Sequence, residues 1–245
     1  MALGPCDRVD SLDRLDHGLL LARSVDSPEQ AGVRIAAIAT AGERVVLPLL
    51  AAFRTTHPDV DVAIRVGNRD TVWGALRHGE ADLVVAGRPP PGLPARTLGT
   101  AANTLVVVGA AGAQPGGAEL STDLARSTWL LREEGSGTRD AAEELLSVLG
   151  LETRRMVLGS NGAVVEGILA GFGIALLPRR AIEERLAQGT LRLLDAPGTP
   201  IERPWHLVSR SDLPLTPTAG LVVDALVDDH DGFSPLDERD GRPDP

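Results

Sequence analysis

Short apolar runs alternate with helical patterns along most of the chain. Residues 33–38 are apolar except for Arg34 and predict a buried strand, and Thr40 begins a helical pattern that ends near Thr56, before His57-Pro58. The same alternation predicts further strands over 60–66, 82–86, 104–108, 128–131, 155–158, 174–177 and 205–209, and helices over 68–78, 140–149, 163–170, 178–188 and 218–227. Strands that alternate with helices of this length are typical of βαβ units, so we expect an α/β protein with parallel strands.

Composition removes several classes of function. The 245 residues contain no lysine, which excludes a P-loop lysine, a pyridoxal-phosphate Schiff base and a lysine nucleophile. The net charge is −10 and aromatic residues make up 2% of the chain, which argues against binding of nucleic acid by this chain alone.

The sequence shows no pattern that is typical of a metal site, a membrane span or an export signal. Cys6 is the single cysteine and the five histidines are scattered, so we expect no disulfide, no metal site and no cofactor. The sequence has no apolar run of about 18 residues and no basic segment followed by an apolar one near Met1. We therefore predict a cytoplasmic protein without a membrane partner.

The clearest candidate site is the stretch Arg132-Glu133-Glu134-Gly135-Ser136-Gly137-Thr138-Arg139. A predicted strand enters it and a predicted helix leaves it, so the first N–H groups of that helix are available to an anion. Ser136, Gly137 and Thr138 supply hydroxyl and backbone donors, and Arg139 adds a guanidinium suited to carboxylate or phosphate. The competing interpretation is that Ser136 or Thr138 only caps the helix.

Three other strand-to-helix corners carry hydroxyl or amide groups. They are represented by Thr40 and Gly42, by Asn68 and Thr71, and by Asn161. Each alone is more often a helix cap than a ligand group. Because ligands of open α/β sheets bind where strands end and helices begin, two facing sheets would bring all four corners to one cleft. That cleft would have few acids and bases, which predicts binding without catalysis.

The order of several segments resembles the effector-binding domain of LysR-type transcriptional regulators. The resemblance lies in residues 33–53, in His57-Pro58, in Gly79-Glu80-Ala81-Asp82-Leu83, and in residues 135–139 and 159–193. It implies a periplasmic-binding-protein type 2 fold, in which two α/β subdomains are joined by two crossover strands. The first subdomain would comprise residues 32–103 plus 206–230 and the second residues 104–205.

The resemblance also implies a ligand and partners. A small-molecule effector, expected to be anionic, would bind between the subdomains and contact Thr40, Gly42, Asn68, Ser136, Thr138 and Asn161. Family behaviour implies self-association as a dimer or tetramer. DNA contact would require a helix-turn-helix, and we find no such pattern in this chain.

Both ends of the chain differ from the pattern between them. We interpret residues 1–31 as an N-terminal segment in which residues 8–24 are a remnant of the family's linker helix. A truncated regulator, a misassigned start and a stand-alone sensor remain open. Residues 231–245 are acidic and rich in Pro and Gly, which predicts a disordered tail.

The leading hypothesis is a ligand-sensing regulatory domain of a LysR-type regulator, not an enzyme. A solute-binding protein of the same fold that serves transport is the first alternative. An enzyme on this scaffold, such as a dehydratase or transferase, is the second, and the absence of lysine and of a paired-carboxylate motif argues against it.

Overall fold

A computed structural model describes residues 32–112, 124–227 and 232–235 of the chain. The described residues form two compact units, the first of 32–101 with 205–227 and 232–235, and the second of 102–112 with 124–204. The predictions made for residues 1–31, and those for the tail beyond residue 235, lie outside the described residues.

The first unit is built on one five-stranded sheet. Its strands are β1 (Val33–Ile38), β2 (Val62–Gly67), β3 (Leu83–Ala86), β4 (Ala95–Ala101) and β11 (Trp205–Arg210). Their order in the sheet is β2-β1-β3-β11-β4. Strand β1 is parallel to both β2 and β3, whereas β11 is antiparallel to β3 and β4. The carboxyl ends of β1, β2 and β3 therefore lie at the same edge of the sheet.

Helices cover both faces of this sheet. Helix α1 runs from Ala39 to Thr56 in three segments, which are Ala39–Ala41, a π-helical Gly42–Val46 and Leu47–Thr56. The other two helices in the described part of this unit are α2 (Arg69–Arg77) and α6 (Pro217–Leu226). Alternate residues of β1 pack into a cluster with α1 and α6, whereas Ala36 of the same strand packs into a cluster with α2. Burial on both faces explains why β1 is apolar at every position except Arg34 instead of alternating apolar and polar residues.

The second unit contains an antiparallel sheet and a parallel strand pair. Strand β5 (Thr104–Ala110) pairs with β8 (Ala175–Pro178) on one side and with β9 (Leu191–Leu194) and β10 (Ile201–Glu202) on the other. Strands β6 (Trp129–Arg132) and β7 (Arg155–Leu158) are parallel. Helices α3 (Gly137–Val148), α4 (Asn161–Leu169) and α5 (Arg179–Ala187) pack against these strands.

Most predicted elements are confirmed with shifts of one to three residues at their ends. The prediction of parallel strands is correct for β1 to β3 and for β6 with β7, and wrong for β5 and β11, which are antiparallel to their neighbours. Strands β4, β9 and β10 are absent from the prediction. Ala95–Ala101 mixes small and polar residues, and β10 has only two residues.

The predicted disorder of residues 231–245 is wrong for Phe233 and Ser234. The Phe233 side chain is fully buried, and its N–H donates to the Leu226 carbonyl at 2.8 Å. Ser234 exchanges two backbone hydrogen bonds with Thr100. This approach depends on Gly99, where a Cβ would lie 3.0 Å from the Phe233 Cβ. One buried aromatic side chain thus outweighs the polar composition around it.

Candidate functional site

Two of the predicted corners lie side by side in the first unit. Ile38 at the end of β1 is paired with Gly67 at the end of β2. Thr40 and Asn68 come shortly after these two strand ends, so both lie at the same edge of the sheet. Thr40 is buried in the first turn of α1. Gly42 is buried too, and a Cβ there would lie 3.3 Å from the Ala37 Cβ. Gly42 therefore allows close packing of α1 against β1.

Asn68 and Thr71 bind each other at the beginning of α2. The Asn68 Oδ1 atom accepts a hydrogen bond from the Thr71 N–H at 3.0 Å and another from the Thr71 hydroxyl at 2.8 Å. The Thr71 side chain also lies over Gly67, where a Cβ would be 2.9 Å from it. These contacts are those of a helix cap, which is the interpretation that competes with a ligand role.

The corner after β6 in the second unit has an unusual helix start. Gly135 has a φ of +79°, a backbone conformation that favours glycine. Ser136 then occupies the N-cap position of α3 and is buried, yet its side chain makes no cap hydrogen bond. The N-cap side chain of α3 therefore does not occupy the first N–H groups of the helix, which are the donors of an anion-binding helix start.

Arg132 connects this corner with the corner after β7. Its Nε and Nη2 atoms each donate to one Glu133 carboxylate oxygen at 2.7 Å, and its Nη1 atom donates to Asn161 Oδ1. The guanidinium is buried, with 10% of its side chain exposed, whereas the Glu133 side chain is 29% exposed. The second unit thus places a buried cation where two parallel strands end.

Sequence reasoning did not select Arg132 as a site residue. The available signal was an arginine at the end of the otherwise apolar strand Trp129–Arg132, all four residues of which are buried. A buried arginine requires partners that neutralise it and accept its hydrogen bonds. That requirement alone could have marked the position as one where charged groups meet.

The two residues that follow Gly137 have different surroundings. Thr138 is half-buried in the first turn of α3. Arg139 donates from Nε to Glu143 Oε1 at 3.0 Å, one helical turn further along, and Arg155 lies 4.0 Å from the same oxygen. The Arg139 guanidinium therefore already has a carboxylate partner on its own helix.

The described units bring the predicted residues together in two groups. One unit holds Thr40, Gly42, Asn68 and Thr71 at one sheet edge, and the other holds Ser136, Gly137, Thr138, Arg139 and Asn161 around the ends of β6 and β7. The expectation that both groups line one cleft stays a prediction. In the described ranges, no cluster of His, Cys, Asp or Glu could hold a metal ion. Among those residues, no helix has the length and apolar character of a membrane span.

Comparisons with known proteins identify the family of the chain. Residues 27–231 match the model of the LysR substrate binding domain. The chain is 38% identical over 202 residues to the HTH-type transcriptional regulator CfxR of Cupriavidus necator, covering 80% of this chain and 63% of that protein. It is 36% identical over 176 residues to the HTH-type transcriptional regulator CbbR of Rhodospirillum rubrum, covering 71% of this chain and 59% of the relative.

Solved structures give the same result for the fold. The regulatory domain of CcmR from Synechocystis, solved in complex with 2-PG, matches with a TM-score of 0.73 and 27% identity, covering 79% of this chain and 94% of that one. Full-length CbnR, solved with its target DNA, matches with a TM-score of 0.64 and 18% identity, covering 88% of this chain and 76% of CbnR. The predicted α/β fold of the periplasmic-binding-protein type 2 class is therefore confirmed, and the chain belongs to the LysR substrate-binding domain family.

Proposed function

We propose that this chain is the ligand-sensing part of a LysR-type transcriptional regulator and that its ligand is a small anionic metabolite. The observation that carries the proposal is the buried Arg132 guanidinium at a strand-to-helix corner, next to the start of α3, where the Ser136 side chain makes no cap hydrogen bond. Both features favour negative charge at the same place. The 2-PG complex of the related CcmR domain supports a small metabolite as ligand.

The ligand would be held by the residues of both corner groups. In this proposal Arg132 binds the anionic end of the ligand together with Ser136, Gly137, Thr138, Arg139 and Asn161, and Thr40, Gly42, Asn68 and Thr71 bind its remaining polar groups. A ligand that contacts two subdomains shifts their arrangement by its difference in affinity between the two arrangements. That shift would be the signal passed on to transcription.

The whole regulator would also need parts beyond the described residues. The relatives CfxR and CbbR are named HTH-type regulators, and the chain spans 59–63% of their length. We propose that a helix-turn-helix makes the DNA contact, because the net charge of −10 disfavours DNA binding by this chain. We further propose that the protein acts in the cytoplasm as a dimer or tetramer. The curated relatives are transcriptional regulators, which favours this role over transport or catalysis.

Calorimetric titration of the chain with a panel of anionic metabolites, 2-PG among them, tests the proposal. We expect binding of at least one anion, and a loss of about tenfold or more in affinity for the double variant Thr138→Ala, Arg139→Ala, since a charge-assisted contact contributes about 1.5–3 kcal/mol. Arg54→Ala, at the opposite end of α1 from Thr40, removes an equal charge from an exposed position and serves as the control. A folded chain that binds none of the anions, or a double variant that binds like the control, would contradict the proposal.

A further inference from the structure

The pairing of Arg132 with Glu133 resembles the pairing that a ligand anion would make. The two Glu133 oxygens accept from Nε and Nη2 of one guanidinium at equal distances of 2.7 Å. A carboxylate or phosphate would use the same pair of donors, because the guanidinium fork matches two oxygens of one anionic group. Glu133 thus holds the donors that make this corner attractive to an anion.

The surroundings of the pair make Glu133 the movable partner. Arg132 ends a buried strand, has 10% of its side chain exposed and is also held by Asn161 across to α4. Glu133 lies just beyond the strand, and 29% of its side chain is exposed. A rotation of the Glu133 side chain would therefore free the fork, while Asn161 would keep the guanidinium in place.

We propose that Glu133 is an internal competitor that occupies the anion-binding fork of Arg132 until a ligand carboxylate or phosphate displaces it. This inference rests on the proposed function, because it concerns the same anion site, and adds a control on its affinity. When a competing contact occupies a site for nine-tenths of the time, the apparent affinity for a ligand falls about tenfold. The contact would thus set a threshold that only a ligand with further contacts overcomes, and would exclude simple anions.

Titration of the full chain with inorganic phosphate, and in parallel with acetate, tests the inference by calorimetry. Glu133→Gln should bind at least one of these anions about tenfold more tightly than the unchanged chain. Glu134→Gln removes the same charge at the adjacent, more exposed position and should change the affinity less than about twofold, because exposed charges are screened. A phosphate-only gain would indicate a phosphoryl ligand, and an acetate-only gain a carboxylate ligand.

A second variant places the bound anion on Arg132. The double variant Arg132→Gln, Glu133→Gln removes both members of the ion pair, so no unpaired buried charge is left to unfold the corner. It should lose the affinity gained by Glu133→Gln while keeping the circular dichroism spectrum of the folded chain. Retained affinity in this double variant would overturn the inference, because the anion would then be bound elsewhere.

The outcomes separate this inference from the proposed function. Equal gains for Glu133→Gln and Glu134→Gln, or no gain for either, would overturn the inference, since the effect would then be one of net charge or absent. A metabolite of the panel that binds the unchanged chain and Glu133→Gln equally well would overturn the inference and leave the proposed function standing. Tighter phosphate binding by Glu133→Gln, in a chain that binds no metabolite of the panel, would support the inference and contradict the proposed function.

Discussion

The backbone contact between Gly173 and Thr128 joins the parallel pair β6–β7 to the antiparallel sheet of the second unit. Next to Gly173, the Ile174 N–H donates to the Thr128 carbonyl at 3.0 Å, and the Leu130 N–H donates to the Ile174 carbonyl at 2.8 Å. A Cβ added at Gly173 would lie 1.9 Å from the Thr128 carbonyl oxygen. Gly173→Ala should therefore force these two backbone segments apart.

The expected loss in the free energy of unfolding follows from the two hydrogen bonds that would break. A Cβ and a carbonyl oxygen need more than 3.0 Å, so the segments must separate by over 1 Å, which is enough to break both bonds. A hydrogen bond contributes about 0.5–1.5 kcal/mol net, and a buried group left without a partner costs about 1–3 kcal/mol. We therefore expect Gly173→Ala to lower the free energy of unfolding by about 2–4 kcal/mol, a large part of the roughly 5–15 kcal/mol of a folded protein.

Urea unfolding followed by circular dichroism and tryptophan fluorescence measures this change. Trp129 lies in β6 beside the contact, so its part of the emission should follow the second unit, whereas Trp73 and Trp205 report the first. The control is Gly162→Ala in α4, where the nearest atom to an added Cβ is Ser160 Oγ at 3.8 Å and alanine should stabilise by about 0.5–1 kcal/mol. If Gly173→Ala unfolds within about 0.5 kcal/mol of the unchanged chain, the argument from close backbone approach is wrong.

Substitutions at two further positions test local features of the first unit. Asn68→Ala should lower the free energy of unfolding by about 1 kcal/mol because it removes the cap of α2, whereas Asn68→Asp should keep the cap. Thermal unfolding of both variants checks this prediction, and equal melting temperatures for the two variants would refute it. Phe233→Ala should cost about 3 kcal/mol in urea unfolding because a fully buried ring is lost, and an unchanged midpoint would mean that residues 232–235 do not pack against the sheet.

The sequence predicts those strands and helices whose formation depends on residues close to one another along the chain. Strand β1 was predictable because both of its faces are buried, so that Val33–Ile38 is almost entirely apolar. Helix α2 was predictable because Asn68, a typical N-cap residue, directly precedes it and accepts a hydrogen bond from the Thr71 N–H three residues further along. Strand β4 was not, because Ala95–Ala101 contains small and polar residues and becomes a strand through its pairing with β11 and with Ser234.

The tail illustrates a limit of composition as a signal. Residues 231–245 have the charge and the Pro and Gly content of a segment that cannot bury a core. Composition averages over the segment, however, whereas Phe233 acts as a single side chain in contact with the apolar cluster of the first unit. The gap that receives it depends on Gly99, which is more than 130 positions away in sequence. A pattern that is read in short windows does not contain that relation.

In the candidate site too, a contact within one helix can be predicted from the sequence, whereas a contact between distant segments cannot. The spacing of Arg139 and Glu143 is that of an ion pair one helical turn apart, so the sequence alone indicates that Arg139 has a partner on its own helix. The contact of Arg132 with Asn161 spans 29 positions and exists because β6 and β7 pair in register at Arg132 and Leu158. At strand-to-helix corners, an arginine that ends a buried strand is therefore a better candidate for anion binding than one in the first helical turn with a glutamate four residues later. The strand arginine is fixed by packing and must be neutralised by another group, and in this chain that group is Glu133.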